Sequence, residues 1–239
     1  MSVYDTADLN ALLRANPYPG RGIVVGKSAD GRHAVILYFI MGRSENSRNR
    51  IFEEVGQGLR TRAFDESRLA DPSLIIYSPL QVMGNVVIVT NGDQTDTIYE
   101  YMEDGARFSD ALDHREFEPD APNFTPRISA ALTFENGDFT YQMSILKSAD
   151  AAGSACNRFL FSYAAVPGVG QFLHTYNGDG DPLPTFTGEP ERVAIGNDID
   201  ETAAGVWNSL NPENKISLYV RYISLMDGSV ENRLFNKNF

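Results

Sequence analysis

Four residues in a stretch of eight, Arg43, Ser44, Arg48 and Arg50, gather positive charge and a hydroxyl in an otherwise acidic chain. Lys27 and Arg21 lie on the preceding hairpin and add to that charge. A guanidinium is a planar fork that matches phosphate oxygens two at a time, so this stretch can clamp a phosphate. It can equally be a solvated loop whose charges pair with Glu45, Glu53 and Glu54. A second group runs Val-Thr-Asn-Gly-Asp-Gln-Thr-Asp-Thr-Ile from Val89 to Ile98. It reads as the end of an apolar strand entering a helix that Asp93 or Thr95 caps, with Asn91, Thr95 and the free helix N–H groups facing one point. Asn91 can both donate to and accept from an amide, although Asn-Gly is also a turn pair and Thr95 and Asp96 can simply be caps.

Glu118 follows the apolar Phe117, and Arg127 stands nine residues on, just before another apolar stretch. A carboxylate beside an aromatic ring can have its pKa raised into the range of general acid–base work. Arg127 can instead pair with Glu118 and hold it ionised, or Glu118 can be an exposed loop acid. Tyr77, before Ser78 and Pro79, offers a phenol that can donate to a developing oxyanion and shuttle a proton. Otherwise it is one of 11 tyrosines with its hydroxyl at the surface. His33, His114 and His174 are scattered and share no metal-ligand spacing. The run from His174 to Pro184 contains Asp179-Gly180-Asp181 but lacks the full spacing of a calcium loop, so it is expected to be a turn-rich loop that could cover a pocket. Cys156 stands alone, which rules out an intrachain disulfide. No phosphate-binding Gly-rich loop, dinucleotide fingerprint, zinc signature or nucleophile elbow is present.

The elements that must position these residues read mainly as hairpins. Arg21 to Ser28 and His33 to Met41 flank Asp30-Gly31, and Leu80 to Met83 and Val86 to Val89 flank Gly84-Asn85. Ile128 to Glu135 and Asp138 to Leu146 flank Asn136-Gly137, the best two-residue turn in the chain. Weaker strands fall near Ile51 to Glu54 and Leu59 to Phe64, and Leu74 to Tyr77 is a short element. Arg158 to Ala165 and Gln171 to Thr175 are expected to form a further hairpin, and Lys215 to Met226 a strand. Helices are expected over Asp5 to Ala15, with Asp5 or Thr6 as cap, and over Thr95 to Met102, Phe108 to Leu112 and Asp200 to Leu210. Hairpins with helices in blocks mean α+β with antiparallel sheets. With no repeat or linker, residues 1–239 read as one domain.

The net charge of -12 and pI of about 4.6 argue against generic nucleic-acid binding. The longest apolar run, Ala34 to Met41, is too short to span a bilayer. The first fifteen residues lack the apolar core of a signal peptide, so a cytoplasmic protein without a membrane partner is expected.

Three of these stretches, taken in order, resemble the archaeal-type IMP cyclohydrolase family. Its pattern includes an S-N-G-x-x-T-D segment, here Thr90 to Asp96, and a Y-E-x-D-x-x-x-T-P-R-I segment, here Phe117 to Asp120 and Thr125 to Ile128. Arg21 to Lys27 and Gly42-Arg43-Ser44 resemble its G-R-x-x-V-V-G hairpin and S-R-S-x-x-x-R loop. Tyr77 matches the family's tyrosine ahead of the Leu80 hairpin. The departures are Gly42 for Ser or Cys, Glu45 and Asn46 for an apolar residue and proline, Thr90 for serine, and Phe117 for tyrosine. The resemblance implies a four-layer αββα sandwich of antiparallel sheets, like an N-terminal nucleophile hydrolase but without an N-terminal nucleophile, since Ser2 precedes a helix rather than a strand. It implies closure of 5-formamidoimidazole-4-carboxamide ribonucleotide to IMP, with no metal or organic cofactor. The expected substrate contacts are Arg43, Ser44, Arg48, Lys27, Thr95 and Asp96, and the expected catalytic residues are Tyr77, Glu118, Asn91 and Arg127. The partner would be a purine nucleotide, with a homo-oligomer possible. A diverged amide hydrolase on the same fold, suggested by Gly42, Glu45 and Thr90, and a nucleotide-binding protein without turnover, suggested by Phe117, are the alternatives.

Overall fold

A computed structural model describes residue 2, residues 4–69, residue 72 and residues 74–238. Among the described residues thirteen strands form two antiparallel sheets. The six-stranded sheet has the order β11-β10-β1-β2-β12-β13, with β1 Arg21–Lys27, β2 His33–Met41, β10 Val169–His174, β11 Glu191–Ala194, β12 Lys215–Ser224 and β13 Val230–Asn236. The seven-stranded sheet runs in sequence order, with β3 Arg50–Val55, β4 Gly58–Ala63, β5 Leu80–Met83, β6 Val86–Thr90, β7 Arg127–Glu135, β8 Asp138–Ser148 and β9 Cys156–Ala164.

Alternation of side chains along each strand makes two cores from one strand. Ile23, Val25, Ile36, Tyr38 and Ile40 meet Val87, Val89, Ile128, Ala130 and Met143 between the sheets. The opposite faces carry the helices. Val24, Leu37, Phe39 and Val220 bury Leu9 and Leu13 of α1 (Leu9–Ala15) and Ile199, Ala203 and Val206 of α5 (Ile199–Ser209). Ile88 and Ala131 bury Ile98 of α3 (Gln94–Glu103) and Phe108 and Leu112 of α4 (Phe108–Leu112). The molecule is thus an α+β sandwich of two antiparallel sheets, and the middles of its central strands, such as Ile23 to Val25 and Ala34 to Met41, are apolar because both their faces are covered.

Four local readings need correction. Gln171 to Thr175 does not pair with Arg158 to Ala165: β9 is the edge of one sheet and β10 pairs with β1 in the other. The connection crosses between sheets, and two nearby apolar runs separated by Pro167-Gly168 carry no local sign of that. The cap of α1 is Asp8, which accepts from Asn10 N at 2.9 Å, rather than Asp5 or Thr6. The polar loop after β2 contains a short helix, α2 (Glu45–Arg48), capped by Ser44. β11 and β13 were not anticipated; β13 reads Val-Glu-Asn-Arg-Leu-Phe-Asn, a half-exposed edge without clean alternation. Among the described residues no helix is long and apolar enough to cross a membrane.

Candidate active site

One end of the sandwich holds a cavity of about 310 Å³ whose walls include Tyr18, Arg21, Arg43, Glu118, Thr125 and Tyr176. Five segments meet there: the start of β1, the end of β2 with α2, residues 74–75, the loop of residues 118–125, and the loop after β10. Strands deliver their terminal side chains to this end and loops close over it, as is usual where a rigid scaffold holds a small-molecule site.

Beneath the cavity lies a layer of buried charge. Arg21 and Tyr38 share the inner face of the first sheet with Ile23 and Ile36, because all are an even number of residues apart along paired strands. Arg50 shares the inner face of β3 with Phe52, and its side chain is wholly buried. Glu118 is 2% exposed. Burial raises its carboxyl to about 7, outweighing the opposing pull of Arg21 and Arg127. Burial works against the charge of Arg21, but Glu118 and the phenols of Tyr176, Tyr18 and Tyr77 more than offset it and raise its pKa. Arg50 is lowered by burial and by its neighbour Arg21. The Tyr38 and Tyr77 hydroxyls are 2.7 Å apart, and burial pushes both phenols up, so both stay protonated at neutral pH. Tyr77 is held in place by β4, where its N–H donates to Thr61 Oγ1 at 2.9 Å and its carbonyl accepts from Thr61 N at 2.9 Å. Glu118 Oε1, Arg21 Nε and Arg50 Nη1 are buried with no hydrogen-bond partner. Buried polar atoms are normally satisfied, so three charged side chains in one layer, each with an unpaired atom, mark a candidate functional site.

At the mouth, Arg43 Nη1 donates to Asp179 Oδ1 at 2.6 Å and to the Gly180 carbonyl at 2.8 Å, and its guanidinium sits 5.3 Å over the Tyr18 ring. Leu183 N donates to Asn123 Oδ1 at 3.0 Å. The turn-rich loop after His174 therefore does wall the cavity. Ser44 lines it too, although its hydroxyl accepts from Ser47 N as the α2 cap.

The other expected site residues lie elsewhere. Asn91 does not line the cavity: its Oδ1 accepts from Ile128 N at 2.9 Å and Gln94 Nε2 at 3.0 Å, and its Nδ2 donates to the Pro126 carbonyl at 2.8 Å. The Thr95 hydroxyl is spent on Thr90 Oγ1 and the Gly92 carbonyl, and Asp96 accepts from Gln81 at a separate surface. Asp93 makes no cap bond; its carboxylate pairs with Arg127 at 2.6 Å and Arg115 at 2.5 Å. Arg127 also donates to Gln94 Oε1 at 2.8 Å, so Asn91, Asp93, Gln94 and Arg127 form a brace behind Glu118. A Cβ on Gly92 would stand 2.5 Å from Arg127 Nη1 and 2.6 Å from Gln94 Oε1, so a side chain there would push against the brace. Arg48 turns away to the Gly42 carbonyl and Asn214. Lys27 shares the inner face of β1 with Arg21 but lies at its other end, roughly 20 Å away, where it pairs with Asp138 at 2.9 Å. A larger cavity of about 620 Å³ near Asn136 and Arg221 lies at that far end and contains none of the expected site residues.

A model of the IMP cyclohydrolase-like proteins matches residues 18–228, nearly the whole of both sheets and the cavity. The chain belongs to the IMP cyclohydrolase-like family. It is 28% identical over 129 residues to the IMP cyclohydrolase of Methanococcus maripaludis, covering 52% of this chain and 62% of that protein. It is 30% identical over 119 residues to the Methanococcus aeolicus enzyme of the same name, covering 48% and 58%, and 29% identical over 119 residues to that of Methanosphaera stadtmanae, covering 48% and 57%. The match thus spans about three fifths of each relative's length.

Four of the five family departures have local explanations. A Cβ at Gly42 would come within 2.3 Å of Ser47 Oγ and 2.7 Å of Ile216 Cδ1. Ser47 in turn accepts from Arg50, through its carbonyl at 2.8 Å and its hydroxyl at 2.9 Å. Glycine here thus makes room for the serine that anchors a buried guanidinium. Gly42→Ser is expected to displace Ser47 and destabilise the fold by about 1–3 kcal/mol, read from urea denaturation; an unchanged midpoint would show that this corner yields freely. Glu45 pairs with Arg68 across the surface. Thr90 does what a serine hydroxyl would do, bonding the Gly92 carbonyl at 2.8 Å. Phe117 packs edge-on against Phe124 at 5.4 Å.

Arg21 and Arg50 appeared in the sequence as part of a basic cluster, and Tyr38 and Tyr176 as core or loop residues. Their place in the site comes from the facing of the two sheets, which no local pattern encodes. A trace existed for Arg21 and Tyr38: their positions follow the inward alternation of β1 and β2.

Proposed function

We propose that this protein is an IMP cyclohydrolase, closing 5-formamidoimidazole-4-carboxamide ribonucleotide to IMP with loss of water, on a four-layer αββα scaffold of the N-terminal nucleophile hydrolase type. The observation that carries the reading is Glu118, buried beside Arg21 and poised at about 7 on the wall of the cavity whose mouth holds Arg43. A group poised near neutrality can take a proton and return it. Family membership and the curated relatives' names support the same chemistry.

In this reading the 5′-phosphate takes the place of Asp179 on Arg43. The carboxamide nitrogen attacks the formyl carbon, forming a C–N bond while Glu118 accepts a proton from that nitrogen. Negative charge grows on the formyl oxygen, near Arg21 and Arg50, and Tyr77 supplies its proton. Glu118 then returns its proton to the carbinol hydroxyl, which leaves as water, while the formamide nitrogen gives its proton back to the Tyr77 oxygen and its electron pair forms the C=N bond of the purine. Both reacting groups belong to one molecule, so the protein's share is orientation, proton transfer and charge stabilisation. Asn91 and Arg127 act behind Glu118 as positioning residues.

The test is ring closure by the purified protein, followed by ultraviolet absorbance. No acceleration over buffer would sink the proposal; tight IMP binding would then leave a nucleotide-binding protein, and no IMP binding a diverged amide hydrolase. Arg43→Ala is expected to weaken IMP binding by about 1.5–3 kcal/mol, and inosine binding hardly at all, because it removes a charged hydrogen bond that only the phosphate makes. Equal losses in calorimetry would show that Arg43 is not the clamp.

A further inference from the structure

Tyr176 has its proton already committed. Its ring is 1% exposed and lines the cavity, stacked on Tyr18 at 6.0 Å with 17° between the planes. Its hydroxyl lies 2.5 Å from Thr125 Oγ1. Thr125 in turn is tied twice to Asp120, through its N–H to Oδ1 at 2.6 Å and its hydroxyl to Oδ2 at 2.5 Å. A hydroxyl has one proton, and an ionised carboxylate only accepts. The Thr125 proton therefore goes to Asp120, and the Tyr176 proton goes to Thr125. What remains on Tyr176 is oxygen lone pairs, so toward a ligand this phenol is an acceptor.

The other cavity groups differ. Arg21 and Arg43 only donate. Glu118, the buried carboxylate of the cavity wall, is engaged by the carboxamide proton in the proposed reaction, while each Asp120 oxygen already accepts from Thr125 and the Asn123 side-chain oxygen from Leu183. Tyr176 is thus an acceptor held in one orientation by a relay, one ring away from the arginine at the mouth, since Arg43 covers Tyr18 and Tyr18 stacks on Tyr176. In a nucleotide the neighbour of the phosphate is the sugar.

We propose that Tyr176, fixed as an acceptor by Thr125 and Asp120, takes a hydrogen bond from a ribose hydroxyl and makes the site selective for ribonucleotides over deoxyribonucleotides. This rests on the nucleotide reading of the cavity. A site with a buried acceptor discriminates against a ligand lacking the donor, because the acceptor is then left unpaired.

The experiment is calorimetric titration of IMP, 2′-deoxy-IMP and 3′-deoxy-IMP into the full chain. Wild type is expected to bind IMP roughly 5–30-fold more tightly than at least one deoxy analogue. In Tyr176→Phe, IMP affinity falls to the level of that analogue while the analogue's own affinity is unchanged. Thr125→Val keeps the phenol but frees its proton, and is expected to lose the discrimination too; it also serves if Tyr176→Phe folds poorly. Equal binding of all three ligands by wild type, or equal weakening of all three in Tyr176→Phe, would overturn the ribose contact while leaving the nucleotide site standing. No binding of IMP by wild type would overturn both.

Discussion

Glu118→Gln and Tyr77→Phe are each expected to lower kcat by roughly 10²–10⁴-fold with little change in KM. The first keeps shape and removes basicity; the second removes one hydroxyl and almost no volume. Both side chains sit in the same buried layer with Arg21 and Arg50, and burial together with the Glu118 carboxylate helps hold the Tyr77 phenol protonated. If they serve one proton path they act as a unit, so the double variant is expected to be less harmful than the product of the two losses. As the base, Glu118 must be ionised, so kcat/KM is expected to rise with pH through about 7 and then level off. In Glu118→Gln that inflection disappears. Near-normal kcat in both single variants would remove the pair from the mechanism even in an active enzyme, and a profile falling through neutrality would make Glu118 the acid instead.

Much of the scaffold was readable because its information is local. Asp30-Gly31 and Asn136-Gly137 turn the chain between alternating or fully apolar runs, and the structure pairs β1 with β2 and β7 with β8 across them. The errors came where pairing is decided at long range. β9 and β10 look like a hairpin in sequence, but β10 finds β1, about 150 residues away, and only the burial of Phe172 and Leu173 on two different cores explains that choice. The site divides in the same way. Glu118 and Arg43, which the structure brings to one cavity, each stand out in sequence because each lies in a short motif with its neighbours. Asn91 was equally legible as a motif but misjudged as a contact: the strand-end geometry that makes it prominent also turns its amide into a stitch between β7 and α3. Lys27 and Arg21 show the limit most plainly. They occupy one strand and one face, and only the direction of that strand puts one in the site and the other at the far end.

The pH dependence of stability should carry the imprint of Glu118. Its carboxyl moves from an ordinary value of 4.5 to about 7 on folding because the charged form loses its water. The folded state therefore holds the proton more tightly, and unfolding between these values releases it. The sign follows: the contribution is fully present below 4.5 and is lost as pH rises through about 7. At about 1.4 kcal/mol per pH unit, the loss amounts to about 3 kcal/mol. Urea denaturation of wild type is expected to show this decline between pH 5 and 8, and Glu118→Gln, which has no proton to release, is expected to show none. Other strongly shifted acids do not blur the comparison. Asp110 and Asp227 are lowered to about 2 by hydrogen bonds from Arg107 and Ser229, so their contributions change only at more acidic pH. The decline also bears on function, because it measures the strain of keeping an ionised carboxylate in the dry layer where a base is wanted. If wild type and Glu118→Gln lose stability in parallel from pH 5 to 8, the carboxylate is already ionised in the folded state at pH 5, stabilised by Arg21 and Arg127. Glu118 could then still orient a substrate, but it would be too weak a base to take the carboxamide proton, and the ring-closure mechanism would need another acceptor.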